Sequence, residues 1–147
     1  MRTSINNDVV ENLLHVHRIV HRNLLRGGLD GADRSISRPL YLIMSVLRDY
    51  GTMRVSEIGK KLLIPKPQMT HLIDKLYSMK MVERHADTRD RRITNVALTN
   101  EGRVKLEMYR KVLRSNIKKK LSALEKDELE QLAVALNKIR EFEQKLK

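Results

Sequence analysis

The sequence predicts a mainly α-helical chain with one small β-hairpin, and three observations carry that prediction. Apolar residues recur at three- and four-residue steps over most of the 147 positions. Two β-prone runs, Val82–Ala86 and Ile93–Leu98, flank a polar, highly charged turn. Between two helical patterns stands Ile64-Pro65-Lys66-Pro67, where each proline fixes its own φ and drives the preceding residue away from helical geometry. The expected architecture is a winged helix-turn-helix core with N- and C-terminal dimerisation helices.

Each element follows from local chemistry. Ile5, Val9, Leu13, Val16, Val20 and Leu24, with Val10, Leu14 and Leu25 beside them, trace one face of a long first helix that stops at Gly27 and Gly28. Gly27 to Ser37 reads as a loop, Ser37 as an N-cap, and Pro39 as a first-turn residue of a second helix running to about Tyr50. Gly51 ends it. Val55 to Leu63 is a short third helix with Glu57 favourable in its first turn. The fourth opens near Pro67 with Met69, Leu72, Ile73 and Leu76 inward and Gln68, His71, Lys75 and Ser78 outward together. Asp87 to Arg92 joins the two strands by more residues than a tight hairpin needs, so it projects from the surface. Thr99 caps a fifth helix containing Val104, Met108, Val112, Leu113, Ile117 and Leu121, and Lys118-Lys119-Lys120 suits its negative end. A sixth begins near Lys126, with Leu129, Leu132, Ala133, Leu136, Ile139, Phe142 and Leu146 in helical period. Long apolar stripes far from a small core need a partner, so the first, fifth and sixth helices are expected to form a homodimer interface.

Charge sharpens the functional expectation. The net charge is +12, and Arg54 to Lys120 holds 18 Lys+Arg against 7 Asp+Glu, a local excess of +11. Such an excess suits a polyanion, because each cation that neutralises a phosphate releases condensed counterions. One Phe, four Tyr and no Trp leave few rings for stacking unpaired bases, which favours duplex DNA over single strands. With no cysteine, disulfides, thiolate nucleophiles and thiolate metal sites are excluded. No run approaches the roughly 20 apolar residues of a membrane span and the N-terminus lacks a signal-peptide core, so the expected location is cytoplasmic with no membrane partner.

The chain resembles the multiple antibiotic resistance regulator (MarR) family of winged helix-turn-helix transcription factors. The resemblance rests on Val55-Ser56-Glu57-Ile58-Gly59-Lys60-Lys61-Leu62, Thr70-His71-Leu72-Ile73-Asp74-Lys75-Leu76, Met81-Val82-Glu83-Arg84, Asp90-Arg91-Arg92 and Leu98-Thr99-Asn100-Glu101-Gly102, in family order and spacing. It is strong from about Leu40 to Leu106. It implies a DNA-binding lobe over residues 38–99, a helical dimerisation region over 1–28 and 100–147, and a homodimeric regulator, more often a repressor, on an inverted-repeat operator. It also implies a small, often anionic aromatic effector, for which His17, Arg18, His21 and Tyr41 are the residues to consider, without assignment. Two departures stand out: Pro65 and Pro67 replace small hydroxyl residues flanking Lys66, and Lys80 replaces a glycine before the first wing strand.

The candidate DNA contacts follow. The major groove admits one helix and shows a distinct donor and acceptor pattern for each base pair. Gln68 can bond adenine N6 and N7 together, His71 can donate to guanine N7 or phosphate, and Thr70 can offer a methyl to thymine or a hydroxyl to phosphate. Lys66 and Lys75 are expected on phosphates. In the wing, Arg89 and Arg91 face phosphate, while the resemblance assigns Arg92 to a narrow A·T-rich minor groove, where negative potential is concentrated. Asp90 is expected to hold Arg92 or a neighbouring arginine in a bidentate pair; the competing reading is an exposed salt bridge of little worth. Arg84 at the wing base and Lys60 or Lys61 are lesser phosphate candidates.

Other classes fare worse. His17 and His21 could share a metal on one helix face, but two histidines without a carboxylate at matched spacing are weak evidence for a site, and no metal or other cofactor is expected. No glycine-rich phosphate loop, nucleophile elbow or metal motif is present, so an enzyme is not expected. The alternative from a different class is an architectural nucleic-acid-binding protein that acts through charge and shape without a defined operator.

Overall fold

In the computed structural model, which describes residues 2–25, 35–143 and 145, the first helix α1 (Arg2–Ile19) passes into a π-helical segment, Val20–Leu25. The apolar period holds to Ile19, but the wider i→i+5 winding after it leaves no mark in that pattern. The stop at Gly27 and Gly28, most of the Gly27–Ser37 loop and Leu146 lie outside the described residues, as do the side chains of Leu24 and Leu25.

Next come α2 (Arg38–Tyr50), β1 (Met53–Arg54), α3 (Val55–Leu62), α4 (Lys66–Ser78), β2 (Val82–Ala86), β3 (Thr94–Leu98), α5 (Asn100–Leu121) and α6 (Lys126–Glu143). Ser37 holds the N-cap position of α2 in extended geometry, yet its side chain makes no capping hydrogen bond. Thr99 does cap: its Oγ1 accepts the Gly102 N–H at 2.9 Å. Helix α3 ends one residue before the sequence pattern does, because Leu63 turns left-handed (φ 54°) and the Ile64 N–H reaches back to the Gly59 carbonyl at 2.9 Å.

The wing carries one more strand than sequence patterning shows. Strand order is β1-β3-β2, all antiparallel, with Met53 opposite Val96 and Val82 opposite Leu98. Two residues of β1 are too few to raise a period-2 signal. Ile93 belongs to the loop rather than to β3, since its N–H donates to the Asp90 carbonyl at 3.0 Å instead of joining the ladder.

The described residues fall into two compact units, 29–112 and 1–28 with 113–147, the division lying within α5. In the first, Leu40, Ile43, Met44 and Leu47 of α2, Ile58 of α3, Met69, Ile73 and Leu76 of α4, and Val96 of β3 are all but inaccessible. Burying such side chains contributes roughly 1.5–3 kcal/mol each. Gly59 eases the close approach of α3 and α4: a Cβ there would lie 3.0 Å from Met69 Cγ and 3.1 Å from the Ile64 oxygen, tighter than ordinary contact. Gly102 is tighter still: a Cβ there would sit 2.0 Å from the Met81 oxygen, so the start of α5 can lie against the α4–β2 turn only without a side chain. In the second unit no described residue is buried, and α1 and α6 expose Ile5, Val9, Leu13, Leu136, Ile139 and Phe142.

Candidate nucleic-acid interface

Helix α4 is held by Met69, Leu72, Ile73 and Leu76, all buried, and this fixes which side chains face away. Successive helical residues turn by about 100°, so the crest opposite the core falls between His71 and Asp74. Gln68 and Lys75 stand on one shoulder; Thr70 and Tyr77 stand on the other. Lys66, Gln68, Thr70, His71, Asp74, Lys75 and Ser78 are all exposed. The sequence pattern set Gln68, His71, Lys75 and Ser78 outward together, and all four are exposed; the unassigned Asp74 shares the crest with His71. Thr70 Oγ1 donates to the Lys66 carbonyl at 3.2 Å, which commits its hydroxyl proton within the helix.

The turn after α4 shows how Lys80 serves in a glycine position. Its φ is 59°, and the Lys80 and Met81 N–H groups return to the Tyr77 and Leu76 carbonyls at 2.9 and 3.0 Å. This is a left-handed helix stop of the Schellman type, with Met81 and Leu76 both buried behind it. Thr99 Oγ1 donates to the Lys80 carbonyl at 2.7 Å and holds the strained residue in place.

In the wing, Asp90 Oδ1 accepts from Arg92 Nε at 3.1 Å and from the Arg92 N–H at 3.0 Å, while Asp90 Oδ2 accepts from Arg92 Nη2 at 3.3 Å. The expected bidentate pair is therefore present, and its partner is Arg92. These bonds hold the Asp90 carboxyl below the ordinary carboxylate value, with the Arg92 side chain the largest cause and its N–H next. Arg92 remains 91% exposed as a side chain, so it is aimed without being covered.

Asp87, which sequence reasoning passed over, organises the loop from beneath. Its Oδ1 accepts the N–H groups of Arg89 at 2.9 Å and Asp90 at 3.3 Å, its Oδ2 accepts Asn95 Nδ2 at 3.3 Å, and Arg54 Nη2 lies 3.6 Å away. One carboxylate thus ties the wing tip to β3 and β1. Its pKa is lowered, first by the Arg89 N–H and then by the Asn95 amide. The usable signal was Asp87-Thr88-Arg89, the pattern of an aspartate that bonds backbone two residues on.

Arg84, a phosphate candidate from the sequence, is engaged within the lobe. Its Nη2 donates to Asp74 Oδ1 of α4, and its guanidinium carbon lies 4.9 Å from the centre of the Tyr77 ring. Arg89 and Arg91 are exposed on the loop. Between α3, α4 and the wing opens a cleft of about 750 Å³, whose lining includes Lys60, Lys66, Thr70, Asp74, Arg84 and Arg92. His17 of α1 and His21 of the π-helical segment have ring centroids 6.3 Å apart with the rings tilted by 34°, and the described residues contain no cluster of three metal-ligating groups. No described helix is long and apolar enough to cross a membrane.

A core-anchored helix with a polar face, next to a three-stranded sheet whose basic loop is internally braced, makes this lobe a winged helix-turn-helix. Residues 36–94 match the MarR family model. This lobe therefore carries a MarR-family domain, and the relatives of the chain are HTH-type transcriptional regulators, which supports a DNA-binding regulator. The chain is 27% identical over 145 residues to the uncharacterised HTH-type transcriptional regulator YkoM of Bacillus subtilis, covering 94% of this chain and 92% of that one. It is 29% identical over 91 residues to the HTH-type transcriptional repressor MdtR of the same organism, covering 62% of this chain and 59% of the repressor. The crystal structure of wild-type MarR from E. coli in its apo form shares the fold, with a TM-score of 0.74, 23% identity and coverage of 88% of this chain and 95% of that one.

Proposed function

We propose that the chain is a sequence-specific repressor that binds an inverted-repeat operator as a homodimer, with α4 in the major groove and the wing in the minor groove. The observation that carries this reading is the Asp90–Arg92 pair: a carboxylate within a DNA-seeking loop is adverse unless it aims a cation, and Arg92 is held by three bonds while 91% exposed. On α4, His71 and Gln68 read base edges, while Lys66 and Lys75 hold phosphates together with Arg89 and Arg91 of the wing. Residues 38–99 form the DNA-binding lobe; residues 1–28 and 100–147 supply the dimer contacts, supported by the exposed apolar faces of α1 and α6. The MdtR match, itself to a repressor, supports the sign of regulation.

Binding to the DNA upstream of the coding sequence, compared with random duplex, tests the proposal. The expected preference is at least about 10³, and contact with six to ten phosphates gives an affinity loss of about 10³ to 10⁵ between 50 and 200 mM salt. A preference near one would assign the chain to architectural binding. Arg92→Ala is expected to weaken operator binding about tenfold with the dimer intact, and an unchanged affinity would remove the wing from the mechanism. A small anionic aromatic effector belongs to the same proposal; benzoate that leaves the operator complex unchanged would count against it.

A further inference from the structure

Asp74 is an oddity on this surface. It lies beside the crest of α4, 57% exposed as a side chain, where a carboxylate repels the phosphates that the surrounding lysines and arginines attract. The structure shows what it holds. Strand alternation places Arg84 on the same face of β2 as the buried Val82, toward α4. Asp74 and Tyr77, three residues apart and so neighbours on one side of α4, receive it, the first by an ion pair and the second by its ring face at 4.9 Å.

We propose that Asp74, Tyr77 and Arg84 form a strut that sets the distance between α4 and the wing, and so the spacing between the base-read half-site and the minor groove that Arg92 enters. This rests on the DNA-binding arrangement proposed above and makes Arg84 a positioning residue rather than a phosphate ligand. The planar guanidinium is suited to the task. It can satisfy a carboxylate at its edge and cover a ring with its face simultaneously, which an ammonium cannot. Beyond Val82 the rest of β2 is exposed, so apolar packing alone does not continue the α4 contact along the strand. The hairpin needs a brace where Arg84 stands. Exposed ion pairs contribute little to folding, but DNA laid over the cleft displaces the screening water, and the pair then gains strength when geometry matters most.

Two readings of Arg84 predict opposite signs. If it were a phosphate ligand partly sequestered by Asp74, then Asp74→Asn would remove a negative charge from the DNA face, free the guanidinium and tighten binding. The strut predicts that Asp74→Asn weakens operator binding, by about tenfold. Arg84→Gln is expected to weaken it similarly while leaving the salt slope at the wild-type value, whereas Lys66→Ala, which removes a phosphate contact, lowers that slope by about 0.9. In selection from a randomised duplex library, the wild type should keep one spacing between half-site and A·T-rich flank, and Asp74→Asn should recover a mixture of spacings with the same half-site. The exchange of both residues, Asp74→Arg with Arg84→Asp, should bind more tightly than either single change does.

Tighter or unchanged binding by Asp74→Asn, or a slope lowered by one phosphate in Arg84→Gln, would overturn the strut while leaving the operator reading intact. Failure of the wild type to select any motif would instead remove the operator reading on which the strut rests.

Discussion

The winged lobe and the terminal helices are patterned alike in sequence, with apolar residues at helical steps, but they end in opposite states. In the lobe those residues close on one another, from Ile36 through Tyr109, and leave no large apolar face on α2. On α1 and α6 the same kind of residue faces outward: Leu13 is 55% exposed and Ile139 51%. Periodicity therefore reports that a face is to be covered, not what covers it. In the lobe the cover is intramolecular; for the terminal helices, we propose, it is a second copy of the chain.

The largest effect should come from the closed side of this contrast. Leu40→Ala, at a fully buried position, is expected to cost about 2–5 kcal/mol in denaturant unfolding; a loss below about 1 kcal/mol would mean that the lobe core is not what holds the lobe. Leu13→Asp, on the open side, should leave the unfolding of the lobe nearly unchanged but weaken self-association by at least about a hundredfold, which is roughly 2.7 kcal/mol. Sedimentation across a concentration series reads this directly. A variant that self-associates as the wild type does would break the contrast, because the exposed α1 stripe would then serve something other than the dimer.

The same contrast explains what was legible in the sequence. The buried set of α4, the proline-stiffened turn, the Thr99 cap and the wing strands are local features, set by spacing and by residues a few positions apart, and each stands where the pattern puts it to within about one residue. Features that depend on residues remote in sequence were not legible. Strand β1 exists because Met53 and Arg54 meet Val96 and Asn95 across the fold. The partnership of Asp74 with Arg84 spans ten residues and two elements, and no period encodes it. Arg84 therefore read as one more surface cation. Asp90 was legible because its partner lies two residues away; Asp87 was missed although half of its bonds are equally local.

A smaller effect tests backbone strain at the bend of the helix-turn-helix. Leu63 is left-handed at φ 54° and 91% exposed, so its side chain gains almost nothing from packing while its Cβ crowds the following carbonyl. The conformation costs roughly 1–2 kcal/mol in a residue with a Cβ, and glycine loses roughly 0.5–1 kcal/mol of backbone entropy on folding. Leu63→Gly should therefore stabilise the lobe by up to about 1 kcal/mol, read as a higher denaturant midpoint with the same slope. A destabilised variant would show that the leucine makes contacts beyond its own bend. Operator affinity, measured beside it, would show whether those contacts are with DNA.

The smallest effect concerns the wing and acid. Asp87 and Asp90 both have folded-state pKa values below the ordinary aspartate value, Asp87 chiefly because the Arg89 N–H and the Asn95 amide bond its charged form, Asp90 chiefly because Arg92 does. A depressed carboxylate pKa means that the ionised group is the one that stabilises the fold. That contribution is complete above the unfolded value and disappears only as pH falls through the folded one. The wing should accordingly stay ordered from about pH 5 to 8 and loosen only in acid below the usual aspartate range. Carboxyl-carbon resonances of the two aspartates, followed through an acid titration, should have midpoints below that of free aspartate. A midpoint at or above the free value for Asp90 would mean that Arg92 swings free in solution and is aimed only once DNA is bound.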